Sequence, residues 1–156
     1  MEFSVENRNG EDQKKTDLPD ADRAALIQAA LEARNGAYVP YSHYAVGAAL
    51  LTDAGEMITG CNIENASYGA TNCAERTAFF KAVSRGIRGF QAIAIAGGME
   101  GEAPADYAFP CGICRQVMRE FCRDDFQILV VKSTEDYQEY RLDELLPFGF
   151  GGESIR

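Results

Sequence analysis

Phe90-Gln91-Ala92-Ile93-Ala94-Ile95-Ala96 is a run with one polar side chain and no charge. A strand reads this way when both faces of its sheet are covered, so the run is expected to lie at the centre of a sheet with helices on either side. Reading toward the C-terminus, residues 97–109 form a loop rich in Gly, Glu and Pro. Pro110 then introduces a helix over residues 111–121. Residues 126–132 (FQILVVK) are a second apolar strand, and residues 138–142 a last one. The tail carries Leu145, Phe148 and Phe150. Reading toward the N-terminus, residues 73–85 predict a helix closed by Gly86, preceded by a small, polar loop over 65–72. Residues 46–52 and 56–62 are strand-like, and the Asp53-Ala54-Gly55 turn between them makes a hairpin. Ala25, Leu26, Ala29, Ala30 and Leu31 recur at helical spacing within residues 20–37, and Pro40 and Tyr41 end that helix. No repeat or domain-splitting linker interrupts the order. It predicts an α/β domain with helices on both faces of one mixed sheet.

The chain has 156 residues and a formal net charge of -9. One domain of this size buries enough surface to fold without disulfides. The acidic excess disfavours nucleic acid as a partner, because phosphate recognition needs Lys and Arg, and favours a small substrate. No apolar run approaches the roughly 20 residues of a membrane span, and the first residues lack the apolar core of a secretory signal. A cytoplasmic location and no membrane association are expected. Residues 1–19 (with ENRNGEDQKK) have almost no apolar periodicity and read as a disordered extension, leaving residues 20–156 as the folded domain.

The chemistry is concentrated in the cysteines. Pro110-Cys111-Gly112-Ile113-Cys114 places two thiols at i and i+3, on one helix face, where they can share a metal. Cys73, in Asn72-Cys73-Ala74-Glu75-Arg76, opens the other helix. At a helix start the dipole favours thiolate. Three thiolates around one zinc leave the fourth position for water, which is the catalytic arrangement. Glu75 follows two residues after Cys73, and a carboxylate near an activated water can move its proton. Three thiolates and Zn²⁺ sum to -1, a poor acidifier of water; Arg76 can drain that charge by donating to sulfur. Alternatives remain at this point. CxxC also suits a redox dithiol or a closed structural zinc site, although no strand leads directly into the motif and no clear fourth ligand is present. Cys61 and Cys122, flanked by apolar residues, read as small core residues. His43, the single histidine, reads as a surface or packing residue.

Cys-Ala-Glu-Arg at 73–76 with Pro-Cys-x-x-Cys-Arg-Gln at 110–116 resembles the cytidine deaminase family, whose zinc chemistry uses a non-ligand Glu. The resemblance extends to Pro40-Tyr41-Ser42, to 46–51 (VGAALL), to 60–69 (GCNIENASYG), and to Glu144-Leu145-Leu146-Pro147 with Phe148 and Phe150. It covers about residues 22–151. It implies a three-layer α/β/α fold with a mixed five-stranded sheet and one Zn²⁺ per chain on Cys73, Cys111 and Cys114. It further implies Glu75 as the proton shuttle and Arg76 tempering the thiolate charge. Asn62 and Glu64 would hold the ribose, the Ala74 backbone would contact the pyrimidine carbonyl, and Tyr44 would stand against the base where Phe is common. Phe150 would reach a neighbouring subunit's site in a homotetramer, with Tyr68 at the same boundary. The implied reaction is hydrolysis of cytidine and deoxycytidine to uridine and deoxyuridine with release of ammonia, a step of pyrimidine salvage. The alternatives are a zinc deaminase of another nucleoside, such as blasticidin S, or a non-catalytic zinc-stabilised binding module.

Overall fold

The apolar run at 90–96 forms the middle of a five-stranded sheet in the computed structural model, which describes residues 18–155. The elements are α1 (Asp20–Ala33), β1 (Tyr44–Thr52), β2 (Met57–Cys61), α2 (Ala74–Ser84), β3 (Phe90–Met99), α3 (Gly112–Phe121), β4 (Gln127–Val131), β5 (Tyr137–Arg141) and a single turn of helix, α4 (Leu142–Leu145). The strand order is β2-β1-β3-β4-β5. β3 pairs antiparallel with β1 and parallel with β4, so the sheet is mixed. The parallel step needs a long crossover, and α3 lies on it.

Alternation along β3 explains the Ala-Ile pattern. Ala92, Ala94 and Ala96 join Ala49, Leu51, Leu129 and Val131 in a core with Leu26, Ile27 and Ala30 of α1. Ile93 and Ile95 point the other way, into a core with Ala78 and Phe79 of α2 and Cys114 and Met118 of α3. Small residues face the single helix, and larger ones fill the space beneath two. The result is three layers, with α2 and α3 together on one face.

Two glycines set the depth of the helices. A Cβ at Gly47 would stand 2.6 Å from the Arg34 nitrogen and collide with the Ala30 carbonyl of α1; a Cβ at Gly60 would stand 2.5 Å from the Ala78 nitrogen and collide with the Ala74 carbonyl of α2. Any side chain there would lift a helix off the sheet.

The first helix ends at Ala33, earlier than the expected Ala37, and tightens into a 3-10 turn over Arg34–Gly36. Arg34 then reaches across to the carbonyls of Ala45, Met99 and Glu102. β3 runs on to Met99 because Gly97 and Gly98, assigned from sequence to the following loop, pair with Val46 and Ala45. Most of the extension expected over residues 1–19 lies outside the described residues. Its last two members belong to the fold instead: Leu18 is buried beside α1, and the Pro19 carbonyl accepts from the Arg23 N–H. An apolar side chain next to an amphipathic helix gains more by burial than the extension's polar composition suggests. Among the described residues, no helix is long and apolar enough to cross a membrane.

Candidate active site

The starts of α2 and α3 meet over one end of the sheet. Cys73 is the N-cap of α2 and Cys111 the N-cap of α3, with Cys114 in the first turn of α3. Their sulfurs all lie within 4.8 Å of one another, and Cys73 and Cys111 are 3.8 Å apart. Four ligands about 2.3 Å from a tetrahedral zinc have sulfurs about 3.8 Å apart. The donor set is therefore the right size as well as the right chemistry for zinc. Cys114 is buried, Cys73 half-buried and Cys111 exposed, so the triad is open on one side.

Electrostatics favour thiolate at Cys73. The Cys73 thiol is lowered to about 5, first by its hydrogen bond with Cys114, then by the Arg76 guanidinium and Cys111. Arg76 Nη2 donates to Cys73 Sγ at 3.3 Å. Cys114 is pushed up, by the proton it shares with Cys73 and by burial. A thiol that coordinates zinc gives up its proton outright.

Glu75 sits in the first turn of α2 and is only 4 % exposed. Burial, with the neighbouring Cys73 adding to it, pushes its carboxyl up to about 7. Glu75 lines a hollow of about 360 Å³ together with Cys73, Cys111, Ala74, Asn62 and Tyr44. Ala74 is the first residue of α2, so its N–H has no partner within the helix. The Asn62 amide accepts from the Val46 N–H at 2.9 Å and donates to the Tyr44 carbonyl at 2.9 Å, which fixes the start of β1 against the hollow. An Asn side chain retains one further donor and one further acceptor position after two such bonds.

Glu64 lines an adjoining hollow of about 400 Å³ with Tyr41, Ser42 and Tyr68, and Thr71 belongs to both. The Tyr41 and Ser42 N–H groups donate to its carboxylate at 3.0 and 3.1 Å. Hydrogen bonding from Ser42, above all, holds that carboxyl below its ordinary value. Phe150 is not brought to either hollow. Its ring is exposed, and its carbonyl accepts from Gln116 of α3.

Val46, Ile95, Ala108 and Phe109 also line the principal hollow, and none was singled out in the sequence. Phe109 had a signal, since it directly precedes the Pro-Cys pair. Asn72, which directly precedes Cys73, donates through its amide to Thr77 Oγ1, whose single proton goes to the Cys61 carbonyl at 2.9 Å with the Cys73 carbonyl 3.2 Å away. His43 lies outside the cysteine cluster, exposed and 3.3 Å from Glu100.

A family model described as the cytidine and deoxycytidylate deaminase zinc-binding region matches residues 20–130. The chain belongs to this deaminase family. Within it, a cytidine deaminase of Halalkalibacterium halodurans is 52% identical over 134 residues, covering 86% of this chain and 98% of that one. The crystal structure of a cytidine deaminase from Burkholderia pseudomallei superposes with a TM-score of 0.74 at 45% identity, covering 81% of this chain and 97% of the other. A blasticidin-S deaminase of Bacillus cereus is more distant, 30% identical over 133 residues, covering 80% of this chain and 89% of its own. Family and geometry agree on the metal: this deaminase is a zinc protein, with Cys73, Cys111 and Cys114 as the ligands.

Proposed function

We propose that the chain hydrolyses cytidine and deoxycytidine to uridine and deoxyuridine, releasing ammonia. The observation that carries this is the buried Glu75 carboxyl, which lines the same hollow as Cys73 and Cys111. Zinc bound to the three thiolates supplies the Lewis acidity that makes water nucleophilic near neutral pH. Glu75 accepts one proton from the attacking water and delivers it to N3, then takes the remaining proton from the hydroxyl added at C4 and delivers it to the departing amine, which leaves as ammonia. The Ala74 N–H donates to the pyrimidine carbonyl, and the Tyr44 ring packs against the base. Asn62 offers its remaining donor and acceptor to a ribose hydroxyl, and the ionised Glu64 accepts from another, so sugar binding positions the base. Arg76 draws charge from the Cys73 sulfur.

The likeness to the cytidine deaminases supports this substrate over blasticidin S, given 52% identity against 30%. We further propose a homotetramer in which Phe150 completes a neighbouring site. Support comes from the exposed ring of Phe150, which in the single chain lines neither hollow, and from the matched C-terminal segment at 144–150. Three cysteines given to zinc and two others outside any disulfide support a reducing, cytoplasmic setting.

The test is ultraviolet absorbance with cytidine, deoxycytidine, cytosine, adenosine and blasticidin S, beside zinc-loaded Glu75→Ala. Turnover of the two cytosine nucleosides is expected, with a loss in the variant at or above the upper end of the roughly 10²–10⁴-fold acid-base range. A single-turnover rate in Glu75→Ala within about tenfold of wild type would refute the role of Glu75. Turnover of blasticidin S alone would refute the substrate.

A further inference from the structure

The three zinc ligands are not held equally. Cys114 is fixed by burial in the core, and Cys73 by the guanidinium of Arg76. Cys111 is exposed, and its sulfur lies 3.8 Å from that of Cys73. What fixes the Pro110-Cys111 turn is a side chain one helical turn further on. Arg115 Nε donates to the Pro110 carbonyl at 2.8 Å, and its Nη1 donates to the Leu145 carbonyl at 2.6 Å. Leu145 ends α4, which is itself anchored: Leu142 is fully buried, and its N–H donates to the Phe126 carbonyl. One guanidinium thus ties the turn that carries the exposed ligand to a point fixed in the core. A lysine has no planar fork with which to span two carbonyls at once.

We propose that Arg115 is a positioning residue for the zinc centre, bracing Cys111 against α4 so that the open side of the triad keeps its geometry. Its neighbours on α3 serve a different end. Gln116 donates to the Phe150 carbonyl and Arg119 pairs with Glu153, so both bind the tail. Partners one step beyond the ligands typically alter metal affinity by about 10–100-fold.

The proposal rests on the three cysteines being the ligands and not on the identity of the substrate, so its test uses none. Zinc-loaded wild type, Arg115→Met, Arg115→Lys and Arg119→Met are mixed with excess chromogenic chelator, and the rate of zinc release is followed. Arg115→Met is expected to release zinc about 10–100-fold faster than wild type, with Arg115→Lys between them and Arg119→Met at the wild-type rate. Arg115→Lys carries the comparison if the methionine variant does not fold. Release from the Arg115 variants at the wild-type rate, or equal acceleration in Arg119→Met, overturns the assignment.

Discussion

Gly60→Ala adds one methyl group, far smaller than most substitutions, at the place where β2 supports α2. The new carbon would stand 2.5 Å from the Ala78 nitrogen and press on the Ala74 carbonyl, where ordinary contact begins at 3.4 Å. Both atoms are helix backbone, so no side chain can turn aside, and α2 must retreat by about 1 Å to restore contact. Overpacking of this kind costs about 1–3 kcal/mol of stability. The larger effect is on the site, because α2 carries Cys73 at its N-cap and Glu75 in its first turn. The Cys73–Cys111 separation of 3.8 Å already matches a tetrahedral zinc, so a shift of about 1 Å pulls one ligand off. A displacement of that size costs about 10²-fold in rate. Urea unfolding, zinc content by elemental analysis and steady-state kinetics are measured together. Gly36→Ala serves as the control, since its Cβ would meet only Cys61 Sγ at 3.5 Å. Wild-type stability, zinc content and kcat in Gly60→Ala would show that α2 is not seated by this contact and that the reasoning is wrong.

Cys111→Ala is expected to lose most of its zinc by elemental analysis while keeping native circular dichroism, since Cys111 is exposed and contributes little to the core. Deleting residues 1–17 is expected to leave activity and melting temperature unchanged. Deleting Leu18 as well removes a buried leucine and should cost about 1.5–3 kcal/mol in denaturant unfolding. Sedimentation is expected to show a species of about four chains, and Phe150→Ala to raise KM for cytidine more than it lowers kcat; a fully active monomer would refute the shared site.

Much of the fold was legible because its pattern is two-sided. The FQAIAIA run, the hairpin at 46–62 and the helices at 73 and 111 each carry a local signature, and all stand within a few residues of where they were expected. The end of α1 was misplaced because Pro40 is a stronger sequence signal than the Asn35-Gly36 pair that follows the helix. Gly97 and Gly98 read as loop because glycine is a poor strand former, yet β1 supplies their partners across the sheet. At the site, spacing found the thiols and Glu75, since helix geometry alone brings Cys111 and Cys114 together. It could not show that Asn62 spends two of its bonds on β1, nor that Ala108 and Phe109 reach back to the hollow, because those contacts depend on long-range packing.

In the sequence the zinc ligands lie before and after the central strand, with Cys73 and Cys111 separated by 38 positions. A growing chain cannot assemble this triad until β3 has been made and Cys114 has emerged. Because Cys73 joins Cys111 and Cys114 only in the folded chain, zinc favours the fold by mass action, to the extent that it prefers three thiols to the local Cys111–Cys114 pair. Each tenfold rise in free zinc above the dissociation constant then adds up to about 1.4 kcal/mol of stability. The supply of zinc in the surroundings, and not the sequence alone, sets the temperature at which this protein comes apart.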